Sequence, residues 1–286
     1  MGLAQAIDDF IADAGDDLAS IQNLCEAHRQ KRNIDSRQKL LQHEFHGIQA
    51  DQVLANLISD PEYVDIRNNL CVWARPTQAL IELVDFIQGE LQMIAPGLWI
   101  APASWLHMTV VEIVHSQPDD VVKQTVIQLL QCLSALVNLV LEHPVVLGRP
   151  QLNYDDATVT MTFVPIGERE YTYLHLRRDI ANICTEHGVE VGSRYFTTSS
   201  HITIVRFVDS AGLETRASRK AWVEKIEGLN SELREKYWRR NLGEGPSKAG
   251  QWMIGAERGL EVRKGRLWYG GGETVQYGKA VSTDVP

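Results

Sequence analysis

Two short stretches constrain this chain more than any others: Trp105-Leu106-His107-Met108-Thr109-Val110-Val111-Glu112-Ile113 and Ser200-His201-Ile202-Thr203-Ile204-Val205-Arg206-Phe207. Each places a His two residues before a Thr inside a run of β-branched and apolar residues, the composition of a buried strand. Side chains alternate faces along a strand, so His107 and Thr109 share one face, as do His201 and Thr203. Strict alternation adds Val111 and Ile113 to the face of His107 and sends Met108, Val110 and Glu112 to the other. Both faces are then mostly apolar, which predicts central strands over 106–114 and 200–208 rather than edges. Laid side by side, two such strands offer two imidazoles and two hydroxyls to one cleft.

A chain of 286 residues, 44% of them hydrophobic, can bury a sizeable core in one large domain or two small ones. The net charge is −9 and the Lys and Arg residues are dispersed, which argues against a long nucleic acid held by counterion release. A small phosphate-bearing substrate fits better. Cys25, Cys71, Cys132 and Cys184 are far apart with no C-x-x-C pair, the pattern of reduced thiols in a cytoplasmic protein. No run reaches the roughly eighteen apolar residues of a membrane span, and Asp8 and Asp9 stand where a secretory signal needs a basic flank. His43 and His46 share a predicted helix face, but no third ligand follows at metal-site spacing, so neither a metal nor a cofactor is expected.

Leu3, Ile7, Ile11, Leu18, Ile21 and Leu24 recur at helical intervals, with Gly15-Asp16-Asp17 as break and cap, and a second helical stretch runs from about residue 36 to 58. Residues 1–66 read as a helical extension that packs on the body or docks a protein partner. Strands and helices then alternate: a strand over 70–74, a helix to Pro96-Gly97, the first H-x-T strand, one helix from Pro118 to Glu142 that is apolar nearly all round, and strands over 145–147 and 157–164. A helix over 170–187, the second motif strand from Tyr195, a helix over 216–238, a loop over 241–250 and late hairpin strands repeat the rhythm. The division that follows is a body of residues 67–286 with lobes 67–168 and 169–286. Gly270-Gly271-Gly272, with no Lys-Ser/Thr after it, reads as a flexible hairpin tip rather than a phosphate loop.

The paired H-x-T motifs, each with apolar residues after the Thr, resemble those of the two-histidine (2H) phosphoesterase superfamily, which includes RNA 2′,5′-ligase-like proteins and 2′,3′-cyclic nucleotide phosphodiesterases. The resemblance covers roughly residues 67–286. It implies a bilobal α+β fold with pseudo-twofold symmetry, two antiparallel sheets flanked by helices, one motif per lobe and no metal. It also implies a hydrolase with His107 and His201 as catalytic acid and base and with Thr109 and Thr203 on the phosphate oxygens. Opening a cyclic phosphate needs a base for water and an acid for the departing ribose oxygen, and His, with a pKa of about 6.5, can serve as either. A bell-shaped pH dependence with both limbs near that value is expected, and the sequence leaves open which imidazole is the base.

Three further residues are candidates for the substrate site. Trp105, with the parity of His107, stacks a base or fills the wall. Arg206 is attractive as a phosphate clamp, although strand parity sends it away from His201 and Thr203 and, unless a bulge intervenes, makes it a structural ion-pair partner. Tyr269, beside Trp268 at the end of a late strand, is a third. The acidic balance keeps two other readings open: an enzyme of small-molecule metabolism that reuses the two-His cleft for other acid–base chemistry, and a non-catalytic nucleotide-binding or scaffold protein.

Overall fold

The computed structural model describes residues 2–167, 169–192, 200–210, 212–238 and 249–282. The fold is α+β, with two antiparallel sheets, each carrying one H-x-T motif, flanked by helices. The first sheet has four strands in the order β3 (Met108–Gln117), β1 (Asn68–Ala74), β8 (Leu260–Gly265) and β9 (Glu273–Tyr277). The second has five, in the order β2 (Leu98–Ile100), β6 (Ser200–Phe207), β5 (Thr158–Pro165), β4 (Val146–Tyr154) and β7 (Gln251–Met253). Chain order and sheet order are interleaved. β2, β4 and β5 precede residue 168 yet belong to the second sheet, while β8 and β9 follow it and complete the first. A cut between 168 and 169 therefore does not separate the two sheets.

The motif strands are not central in the way their apolar composition suggests. β3 is an edge of its sheet, paired to β1 alone. β6 has β5 along one side but meets β2 only at Val205–Phe207, so His201 and Thr203 sit where the other side is open. The two open edges meet, and β3 and β6 are in contact. The predicted strand start at Tyr195 and residues 241–248 of the late loop lie outside the described residues.

The helices α1 (Leu3–Asp13) and α2 (Leu18–Leu41) are built into the body. Leu3, Ile7, Ile11, Ile21, Cys25 and Leu40 belong to the same continuous core as the strands. α2 runs unbroken through a stretch too polar to read as helix interior because Arg29 occupies a core position. Its side chain is 0% exposed, pairs with Glu26, and donates from Nη1 to the carbonyl of Arg149 at 2.7 Å. The helical stretch expected over 36–58 is interrupted from Gln42 to Asp51, and α3 (Gln52–Ser59) starts where Asp51 caps it by accepting from the Leu54 N–H. His43 and His46 fall in the interruption and share no helix face. The long apolar helix is also two, α5 (Asp119–Leu129) and α6 (Leu133–Glu142), bent by 62°. Among the described residues no single helix is long and apolar enough to cross a membrane. α4 (Gln78–Gln92), α7 (Tyr173–Glu186) and α8 (Arg216–Leu233) form where expected.

Candidate active site

One irregularity, made twice, builds the site. Along β3, Val72 of β1 faces Val111 while its neighbour Trp73 faces Thr109, so Val110 is skipped. Along β6, Val159 of β5 faces Val205 while Thr160 faces Thr203, so Ile204 is skipped. An extra residue of this kind is a β-bulge, and it reverses the parity of everything after it. Val110 and Val111 are therefore both buried, as are Ile204 and Val205, and the next residue in each strand returns to the face of the motif. That residue is Glu112 in β3 and Arg206 in β6. Strict alternation had placed both on the far side and had placed Val111 and Ile113 in the cleft; the structure buries the two apolar residues instead.

The result is a cavity of about 180 Å³ lined by His107, Thr109, His201 and Thr203, with Glu112 and Arg206 beside them. On this measure a single water needs only about 10–15 Å³, so a phosphate fits. Asn69 and Trp73 of β1, and Trp268 of the β8–β9 turn, complete the wall. An adjoining compartment of about 370 Å³ shares Thr109, Glu112, His201 and Trp268 and reaches Leu3 and Arg32.

His107 stands just before β3 and is fixed on two sides. Its ring stacks on Trp73, with centroids 3.6 Å apart and planes at 13°, and its Nδ1 lies 2.7 Å from the carbonyl oxygen of Trp105. A carbonyl only accepts, so Nδ1 carries the hydrogen and the neutral ring keeps its lone pair on Nε2. Burial, with the charges of Arg75 and Arg263 and the nearby His201, outweighs that bond and pushes the pKa down to about 3. His107 is thus neutral at rest. His201, opposite Thr162 of β5, is exposed.

Arg206 is held from behind. Asp51 sits 3.2 Å from its Nη1, and the guanidinium lies 5.6 Å from the Tyr269 ring centre. Tyr269 does not line the cavity. It is buried, donates to Asp51 at 2.7 Å and accepts from Arg67 at 3.1 Å, so it braces Arg206 instead of touching the cleft. Trp105 is also displaced from its expected role. It ends a short 3₁₀ turn, is 38% exposed, and is absent from the cavity wall. Its ring rests against Gly270, whose φ is +88° and where an added Cβ would fall 2.3 Å from Trp105. The glycine is thus required by close packing rather than by a flexible tip. What Trp105 supplies to the site is its carbonyl.

Asp51, Glu112, Asn69 and Trp73 were not singled out from sequence. Asp51 falls inside the helical stretch expected over 36–58, and nothing local connects it to Tyr269; Glu112 is hidden by the bulge. Among the described residues no cluster of three or more His, Cys, Asp or Glu could hold a metal ion.

No family model and no curated protein matches the chain. Among solved structures it is similar to TT0787 of Thermus thermophilus, with a TM-score of 0.43, 14% identity, and coverage of 73% of this chain and 96% of that one. It is also similar to Usb1 of Kluyveromyces marxianus, solved with uridine monophosphate, with a TM-score of 0.38, 14% identity, and coverage of 69% and 94%. A structure of Usb1 from the same organism gives 0.38, 14%, 70% and 94%.

Proposed function

We propose that this chain is a metal-independent phosphoesterase that opens a small cyclic phosphate, such as a 2′,3′-cyclic nucleotide or a cyclic RNA end, by two-histidine acid–base catalysis. The observation that supports this best is the convergence of both His–Thr pairs on one phosphate-sized cavity. It joins the H-x-T resemblance to the 2H phosphoesterases to a geometry that can do the work.

In this reading His107, neutral with a lone pair on Nε2, takes the proton of the attacking water. His201, at the exposed end of the cleft, protonates the departing ribose oxygen. The arriving phosphate itself strengthens the base, because a negative charge nearby favours the imidazolium and raises its pKa. Thr109 and Thr203 donate to the non-bridging oxygens, and Arg206, pre-set by Asp51, neutralises charge that grows in the transition state. The four buried cysteines, none in a disulfide, suit a cytoplasmic setting.

The test is hydrolysis of 2′,3′-cyclic mononucleotides, with EDTA present throughout, by wild type, His107→Ala, His201→Ala and the double variant. Each single replacement should lose about a hundredfold to ten-thousandfold. The double should lose little more, because groups acting in one transition state are non-additive. Losses that multiply would put the histidines in separate steps. A wild type inactive in EDTA but rescued by zinc or manganese would end the metal-free mechanism.

A further inference from the structure

The two bulged strands match in pattern but not in charge. Three residues after each inward Thr, β3 delivers Glu112 and β6 delivers Arg206 to the same cavity. Glu112 is the single carboxylate among the described residues lining it. Its Oε1 is held 2.9 Å from Nδ1 of His115, so the side chain has a fixed place at the border with the larger compartment. The one cation among the described residues of the cavity wall, Arg206, is compensated before any ligand arrives. Arg206 is paired with Asp51, and Arg75 and Arg263, behind Trp73, both pair with Glu261.

We infer that Glu112 sets the charge specificity of the cleft, favouring singly charged phosphodiesters over doubly charged monoesters and repelling the product once the ring has opened. The inference rests on the phosphoesterase reading above. Coulomb repulsion from one carboxylate is twice as large for a dianion as for a monoanion at the same place. A cyclic phosphodiester carries one negative charge, whereas the monoester left by hydrolysis, with a second pKa of about 6, carries nearly two at neutral pH. With Arg206 already held by Asp51, the carboxylate in the wall acts on the second charge as well as on the first. Substrate is thereby tolerated and product pushed out.

The probes are deoxyadenosine 3′-monophosphate and its methyl ester, which differ by one methyl and one charge and lack the 2′-hydroxyl needed to cyclise. Their affinities are measured by calorimetry at pH 7.5 on the full chain. Wild type should prefer the methyl ester. Glu112→Gln keeps the shape and removes the charge; if it tightens the methyl ester about threefold, it should tighten the monoester by roughly the square of that, about tenfold. Glu112→Asp, with the charge restored, should return the wild-type preference, and Glu112→Ala should follow Glu112→Gln if the latter folds poorly. Equal changes for both esters, or none, would overturn the inference and leave Glu112 as a mere partner of His115. The parent reading fails separately: a wild type that binds neither ester and opens no cyclic phosphate sinks both, whereas one that opens cyclic phosphates with an ester preference unmoved by the substitution sinks this inference alone.

Discussion

A histidine two residues before a threonine can be read from sequence, but the proton affinity of that histidine cannot. His107 owes its low pKa to burial and to charges from Arg75 and Arg263, and it lies against the Trp73 ring, all brought from distant strands. The symmetrical bell expected of two ordinary histidines is therefore replaced by a lopsided one. With His107 already deprotonated above about pH 3, the rise of kcat/KM with pH should lie well below 6.5, and the descending limb should belong to the acid alone. A pH profile on a 2′,3′-cyclic nucleotide, whose phosphate does not titrate in this range, checks this. An ascending limb centred near 6.5 would mean that His107 is not the neutral base. The same depressed pKa makes the folded state bind this proton less readily than the unfolded chain, so stability is fully present above about pH 6.5 and is lost as pH falls toward 3. His28 and His175, lowered chiefly by burial, act in the same direction.

At the scale of the element, the motif was legible because alternation is local, and its continuation was not because a bulge is a property of pairing. The trace it leaves is slight: Val110-Val111 and Ile204-Val205, two adjacent apolar residues that strict alternation would split between two faces. Edge position was equally hidden, since β3 and β6 are apolar like central strands yet each leaves a side open toward the other. The link from α2 to α3 adds a contact no periodicity announces. Asp51 caps α3, accepts from Tyr269 and holds Arg206, three tasks for one carboxylate. Asp51→Ala should lower kcat/KM by about tenfold by freeing Arg206 and should cost about 1 kcal/mol for the lost cap. Asp51→Asn should recover most of the stability but not the kcat/KM, since an amide caps a helix without holding a guanidinium by charge. Equal recovery of both would show that Arg206 needs no anionic partner.

For the whole molecule, the N-terminal helices share one core with the strands, and the residue that ties them most closely is Arg29. An arginine inside a polar run looks like solvated helix surface, yet here it is wrapped by Glu26, the Arg149 carbonyl and the Trp238 ring at 4.8 Å. Arg29→Ala leaves a carboxylate and a buried carbonyl without their donor and should cost about 2–4 kcal/mol. Urea unfolding followed by tryptophan fluorescence and by circular dichroism should shift together as one transition. If the helical signal alone moved, α2 would be a separable layer. The interleaving of the sheets has its own consequence in time. Ala74 faces Leu260 and Asn69 faces Gly265, so β1 leaves the ribosome with one edge bare and waits for most of the remaining chain before β8 arrives. The wall that presses Trp73 against His107 is among the last parts to be delivered. A nascent chain stalled before Leu260 is thus not a slow enzyme but an exposed sheet edge, a substrate for chaperones or for aggregation, and the cleft matures only near the end of synthesis.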